Sequence, residues 1–480
     1  MIDHPLRILF IAAEADPLVK VGGLGDVAGS LPLAVKHSRP EIDIRLAIPF
    51  YPAIRQSGIE VKPVGSSQIR YQDRLLDIQF FVTEKYDIPI YLIDGLPISQ
   101  SGAVYGTNFE QDAEKFIFFS LAALKLPQVL HWQFDILQAN DWHTAISLHA
   151  VRKMSEAFPE FASVKTILTL HNLPFMGTGS EKALEKFAVP PCRNPRMPSW
   201  AKQLPLPMGI NSADKVVAVS PTYAQEIFTP EYGCDLQNFL LTKRTRITGI
   251  LNGIDYQIWD PQKDACLKQT FSAITLEDRR ENKRALQNEF SLPQEENIPL
   301  LTFIGRMDRQ KGIDTILSAI RLLDTRNWQL IVLGTGDKML EKEVTTLQQE
   351  YPEQIRTILR FDGALSHRLY AGADILLMPS RYEPCGLAQL IAMRYGCVPV
   401  AMATGGLVDT IVDFSKNPAH GTGFLCAEQD THCYATTIQT ALQIFLNQTD
   451  WRKIQENAMQ QDFSWQISAK KYIELYHSIL

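Results

Sequence analysis

Short apolar runs, each closed by a polar or glycine-rich loop and then by a stretch of helical spacing, recur along the whole chain. This alternation constrains the fold more than any other feature. Arg7–Ala13 (RILFIAA) is too short for a buried helix and leads into a glycine loop, so it reads as a strand buried on both faces. Pro299–Gly305 (PLLTFIG) repeats the plan, followed by Arg306–Gly312 and an amphipathic stretch near Ile313–Leu323. Further strands are expected at Ile44–Ile48, Ile90–Ile93, Ile136–Ala139, Lys165–Leu170, Lys215–Val219 and Ile247–Leu251. The second half adds Gln329–Leu333, Ile355–Phe361, Ile375–Met378 and Val398–Ala401. Strands alternating with helices imply parallel sheets covered on both faces. The two similar openings imply two doubly wound α/β domains, residues 1–252 and 253–460, with the crossover near Asn252–Pro261. Residues 461–480 have helical spacing with no strand to follow, and are expected to pack back on the first domain.

Composition narrows the function. A chain of 480 residues exceeds one ordinary core. Its net charge of −6 is spread without blocks of one sign, which argues against a nucleic-acid binder. No run approaches the roughly 18 apolar residues of a membrane span. Ile8–Ala13 ends at Glu14 and is short for a signal peptide. The seven cysteines include no CxxC pair, so reduced thiols and a cytoplasmic setting are expected.

In open α/β sheets ligands bind beyond the carboxyl ends of strands, so the loops after the apolar runs carry the candidate chemistry. The first is Lys20–Val27, KVGGLGDV. Gly22 and Gly23 let backbone N–H groups approach an anion, and a helix starting near Gly25 adds its positive end. A glycine-rich turn with a solvated lysine fits the same residues, and the order of Lys and Gly matches neither a P-loop nor GxGxxG. Asn140-Asp141-Trp142-His143 and His171-Asn172 also end strands; they suit sugar-hydroxyl recognition or a structural role equally. Gly305–Gly312 (GRMDRQKG) offers Arg306 and Lys311, suited to a diphosphate leaving group. Basic residues at a helix N-terminus are disfavoured by the macrodipole unless an anion compensates. Glu383-Pro-Cys-Gly386-Leu387 sets an acid in a tight loop opening a helix, either to hold ring hydroxyls or as an N-cap. Gly405-Gly406 adds a further backbone anion site.

Taken together, these motifs resemble those of bacterial glycogen synthases and plant starch synthases (glycosyltransferase family 5). The likeness runs through KVGGLGDVAGSLP, NDWHT, LHN, VSPTYAQEI, ILNGIDYQIWDP, GRMDRQKG, YAGADILLMPSRYEPCGLAQLIAMRYG, ATGGLVDTI and DFSW. It implies two Rossmann-like domains with an interdomain cleft, the GT-B arrangement. The first domain is then the acceptor side with the Lys20 loop, and the second binds the nucleotide-sugar. It also implies transfer of glucose from ADP-glucose to the non-reducing end of an α-1,4-glucan (glycogen, amylopectin or malto-oligosaccharide) with retention. Carried over by motif, Lys20 contacts the donor diphosphate or sugar, and Arg306 and Lys311 the departing diphosphate. Glu383 holds the glucose ring, His171 sits by the donor sugar, and Asn252 and Asp141 lie in the sugar and acceptor region. Phe361 matches a position that stacks on adenine. No metal or prosthetic group is implied, because Arg and Lys neutralise the diphosphate. Two departures, Leu173–Gly179 (LPFMGTG) and Asp235 where a second glycine is common, fall on the acceptor side. The competing readings are a glycogen phosphorylase, which needs a cofactor lysine and a longer chain, a UDP-glucose-dependent transferase, and a silent glucan-holding paralogue.

Overall fold

Four of the five residues of Arg7–Ile11 are apolar, and they form β1, a central strand of the first sheet. The computed structural model describes residues 4–84, 86–156, 158 and 161–480. The chain divides into two units, Met1–Gly253 with Trp465–Leu480, and Ile254–Ser464.

The first unit continues with β2 (Asp43–Pro49), β3 (Lys62–Tyr71), β4 (Arg74–Thr83), β5 (Ile90–Asp94), β6 (Ile136–Asn140), β7 (Lys165–Leu170), β8 (Lys215–Ala218) and β9 (Ile247–Gly249). Their order is β3-β4-β5-β2-β1-β6-β7-β8-β9. From β5 to β9 all neighbours are parallel. The expectation of purely parallel sheets is corrected at one edge, where β3 and β4 form an antiparallel hairpin joined to β5. In β4 the buried residues Leu76, Ile78 and Phe80 alternate with exposed ones, a two-residue period that a search for continuous apolar runs passes over. The hairpin turns at Gln72-Asp73, with Gln72 in the left-handed region at φ 52°.

The second unit contains β10 (Leu300–Ile304), β11 (Gln329–Leu333), β12 (Ile355–Ile358), β13 (Ile375–Met378), β14 (Val398–Met402) and β15 (Phe424–Cys426), in the order β12-β11-β10-β13-β14-β15. All pairs are parallel. In chain order this is the dinucleotide-binding sequence of strands, with its reversal between β10 and β13. Leu301, Phe303, Leu330 and Val332 enter one apolar cluster and Leu300, Ile331 and Leu333 the other, so helices cover both faces. Burying each such side chain contributes about 1.5–3 kcal/mol. β12 stops at Ile358, three residues short of the expected end, and leaves Phe361 in a loop.

The helix Trp465–Ile479 completes the first unit and packs on the helix Gly23–Ser38. Ser468 Oγ donates to the Leu251 carbonyl at 2.6 Å, and Tyr476 OH donates to Gln138 Oε1 at 2.6 Å. Among the described residues no helix is long and apolar enough to cross a membrane. The expectation of uniformly reduced thiols is also corrected. Cys426 at the end of β15 and Cys433 in the next helix form a disulfide, with Cα atoms 6.1 Å apart. The strand-turn-helix connection brings together two cysteines that their spacing alone does not pair. The other five are free.

Candidate active site

In the first unit the strand order reverses between β1 and β6, and the chain leaving β1 builds the Lys20 loop. The loop is held from below by Glu14, a buried acid that sequence reasoning treated only as the end of a strand. Its carboxylate accepts N–H bonds from Val21 and from Gly22 (3.1 Å) and a hydroxyl bond from Tyr105 (2.8 Å). Burial raises the Glu14 pKa, against the pull of these donors. The Gly22 N–H is thus committed to an internal carboxylate. Lys20 itself, 40% exposed, pairs with Asp26 at 2.6 Å and reaches Asp16 at 4.0 Å.

β6 delivers Asp141 into the first turn of the helix Asp141–Met154, at φ 52°. Its Oδ1 accepts the backbone N–H groups of His171 (2.7 Å) and Asn172 (3.3 Å), tying the end of β7 to β6. Burial pushes Asp141 up to about 7. The Asn140 amide donates to the Ile11 carbonyl at 3.0 Å, which orients its oxygen toward His171 Nε2, also at 3.0 Å. That oxygen only accepts, so Nε2 of His171 carries the proton and Nδ1 the lone pair. Burial lowers His171 to about 3, and does the same to His143, whose ring lies among Tyr105, Phe116 and Trp142. Asn252 follows β9, and its buried Oδ1 has no hydrogen-bond partner among the described residues. On the expected acceptor side, Gly177 at φ 88° is wedged against Pro205 and Trp142. Cys234 and Asp235 hold left-handed conformations at φ 49° and 60° without being glycine.

These pKa shifts predict a pH profile. A histidine held near 3, against its ordinary 6.5, gives stability that is complete above pH 6.5 and lost as pH falls toward 3. Asp141, raised from 3.8 to about 7, acts oppositely: its contribution is complete below pH 3.8 and lost as pH rises to 7. Each group is worth about 1.4 kcal/mol per pH unit between roughly pH 4 and 6.5. His171 keeps some solvent contact and contributes less than this. From these three groups the first unit is expected to gain at most about 1.4 kcal/mol per unit on raising the pH through that window, and Asp141→Asn to steepen the slope. Urea unfolding at a series of pH values checks this, and a flat profile counts against it.

In the second unit the reversal between β10 and β13 gathers three loops. After β13, Glu383 is 5% exposed, and its Oε2 accepts Lys311 Nζ at 2.6 Å and Ser380 Oγ at 2.9 Å. It does not cap the helix Ala388–Arg394, whose N-cap is Leu387. Arg306, at the end of β10, is 60% exposed and paired with Asp308 at 2.9 Å. Arg381 ties the loops together through Asp314, at 2.7 and 2.9 Å, and the Arg309 carbonyl. The turn after β14 completes the set. The Gly406 N–H donates to the Glu383 carbonyl at 3.0 Å, and a Cβ on Gly405 (φ 47°) would lie 2.1 Å from that same oxygen. Gly386 lies between Glu383 and Leu387 at φ 71°. Phe361, 89% exposed, follows β12.

The basic helix start after β10 was expected to need a compensating anion, and in this structure Asp308 pairs with Arg306 and Glu383 with Lys311. Asp264, Cys266 and His367 place ligand-type atoms within 4.8 Å of one another. The Asp264 carboxylate there already accepts from His367 (2.6 Å), Tyr395 (2.7 Å) and the Cys266 N–H (2.9 Å).

Comparison with known proteins matches both units. Residues 7–242 match the family model "Starch synthase catalytic domain", and residues 285–461 match "Glycosyl transferases group 1". The chain is 36% identical to the glycogen synthase of Clostridium perfringens, covering 99% of this chain and 98% of that one. It is also 36% identical to the glycogen synthase of Streptococcus pneumoniae strain 70585, over 99% and 100%. Among solved structures, the catalytic domain of starch synthase IV from Arabidopsis thaliana, bound to ADP and acarbose, superposes with a TM-score of 0.90 at 31% identity, covering 99% of each chain. Sucrose-phosphate synthase from Thermosynechococcus elongatus shares the fold, with a TM-score of 0.62 at 19% identity and 99% coverage of each chain. Two parallel-sheet units of the GT-B type, matched along nearly their whole length at this identity, make the chain a member of the glycogen and starch synthase family of glucosyltransferases.

Proposed function

We propose that the chain transfers glucose from ADP-glucose to the non-reducing end of an α-1,4-glucan with retention, and that the Lys311–Glu383 pair at the β10/β13 reversal is the core of its donor site. The pair carries the reading because it sets a buried carboxylate and an ammonium 2.6 Å apart where a doubly wound sheet binds its ligand. A nucleotide-sugar divides the two. Its diphosphate draws Lys311 and Arg306, while its ring hydroxyls donate to Glu383. Phe361 offers an uncommitted ring face for adenine, Gly386, Leu387, Gly405 and Gly406 shape the backbone beside the phosphates, and Lys20 is assigned to the donor by its motif. His171, neutral and with Nδ1 free of a proton, is assigned with Asp141 and Asn252 to sugar and acceptor recognition.

In the transfer step the bond from C1 to the phosphate oxygen breaks and ADP leaves with the electron pair. The acceptor hydroxyl bonds to the same face of C1 and gives its proton to the leaving phosphate. The side chains stabilise charge and hold position rather than attack. The reading includes no metal or prosthetic group, because Arg306 and Lys311 are assigned to the departing diphosphate.

Radiolabelled ADP-glucose and UDP-glucose, each offered with glycogen and EDTA, test the reading. ADP-glucose is expected to be used at least about tenfold faster, a difference of roughly 1.4 kcal/mol. Phe361→Ala is expected to raise the KM for ADP-glucose by about tenfold with little change in stability. Preference for UDP-glucose overturns the donor assignment.

A further inference from the structure

The helix Asp141–Met154 begins at the candidate site and ends, about 20 Å away at 1.5 Å per residue, beside a cavity of about 570 Å³. The other walls are the last turn of the helix Pro205–Ser212, the loop around Arg193 and the short turn ending at Arg246.

The lining is basic in a chain whose net charge is −6. Two of the cations are accounted for: Arg152 pairs with Asp214, and Lys153 with Glu156 at 3.3 Å. Arg193 and Arg246 make no ion pair among the described residues, and neither do Arg196 and Lys243 close behind them. Lys243 Nζ donates to the Asn211 carbonyl at 3.5 Å and Arg246 Nη1 to the Ala213 carbonyl at 3.4 Å, both at the end of the Pro205–Ser212 helix. Two helix C-termini here carry only about one negative charge between them, too little for four cations. Burial, with the nearby Arg246 and Arg196, holds the Lys243 ammonium below its usual range.

The neutral part of the wall is amide and hydroxyl. Asn194 Nδ2 donates to Asn211 Oδ1 at 2.7 Å, with Ser212 adjacent. The lining contains no Phe, Tyr or Trp, and its one aromatic ring, His149, is held at both nitrogens by Ser212 Oγ (3.3 Å) and the Pro190 carbonyl (3.1 Å). The volume is that of a small-molecule site and far larger than a bare phosphate needs.

We propose that this cavity binds a phosphorylated monosaccharide, the phosphate on Arg193 and Arg246 and the sugar hydroxyls on Asn194 and Asn211. The site is separate from the donor loops, and the inference does not depend on their assignment.

Calorimetric titration of the enzyme in excess ADP, which occupies the donor phosphate site, tests this. The ligands are glucose 1-phosphate, glucose 6-phosphate, inorganic phosphate and glucose, titrated into wild type and an Arg193→Ala/Arg246→Ala variant. At least one hexose phosphate is expected to bind wild type with a Kd below about 1 mM, and the variant at least about tenfold more weakly. Glucose is expected not to bind, and glucan synthesis in the absence of hexose phosphate to persist in the variant. Arg193→Glu alone, on an exposed residue, gives the same readout if the double variant folds poorly. The proposal falls if neither hexose phosphate binds, if wild type and variants bind alike, or if inorganic phosphate binds as tightly as the sugars.

Discussion

Glu383→Gln is expected to lower kcat/KM for ADP-glucose by about 10²–10³-fold, roughly 3–4 kcal/mol of transition-state stabilisation, in a protein that remains folded. The amide keeps the shape of the side chain and can still accept the Ser380 hydroxyl bond. What disappears is the charge that faces Lys311 at 2.6 Å and that would strengthen as an acceptor for ring hydroxyls when C1 becomes cationic. The loop should hold, because the Gly406 N–H bonds to the backbone carbonyl of residue 383 and not to its side chain. Initial rates over a range of donor concentrations, alongside thermal midpoints, separate the two effects. A folded variant within threefold of wild type would remove Glu383 from the site.

Lys20→Ala should cost a similar factor, about 10²–10³ in kcat, with a smaller effect on stability. Its ammonium is 40% exposed and its bond to Asp26 is a surface ion pair, of a kind worth about 0–1 kcal/mol. The loop's shape comes instead from Glu14, so the backbone survives the truncation. Lys20→Arg is expected to restore little, since a planar fork does not reproduce a compact ammonium. Single-turnover rates at saturating donor and glucan decide this, and a loss confined to KM would mean Lys20 binds donor and transition state equally.

Strands that are apolar on both faces, such as β1, β10 and β13, were legible because nothing else explains a short run with at most one polar residue. The β3–β4 edge was not, because it meets solvent and alternates. Lys20, Arg306, Lys311 and Glu383 could be picked out from residue type and position after strands, and the structure places each beyond a strand's carboxyl end. Their resting partners could not. Glu383 and Lys311 are separated by 72 positions and meet only through the pairing of β10 with β13. Glu14 was hidden for a different reason. One acid after an apolar run looks like the end of a strand until the loop it supports is seen folded over it.

The helix Trp465–Ile479 has a consequence for how the protein is made. It packs on the helix that carries the Lys20 loop, and its Tyr476 reaches Gln138 at the centre of the first sheet. Translation runs from the N-terminus, so the first unit emerges early but lacks this cover until residues 465–479 are made. The second unit has all its strands before that point. The unit begun first is therefore completed after the second, and Lys20 near its start reaches its final surroundings only once the helix Trp465–Ile479 has docked.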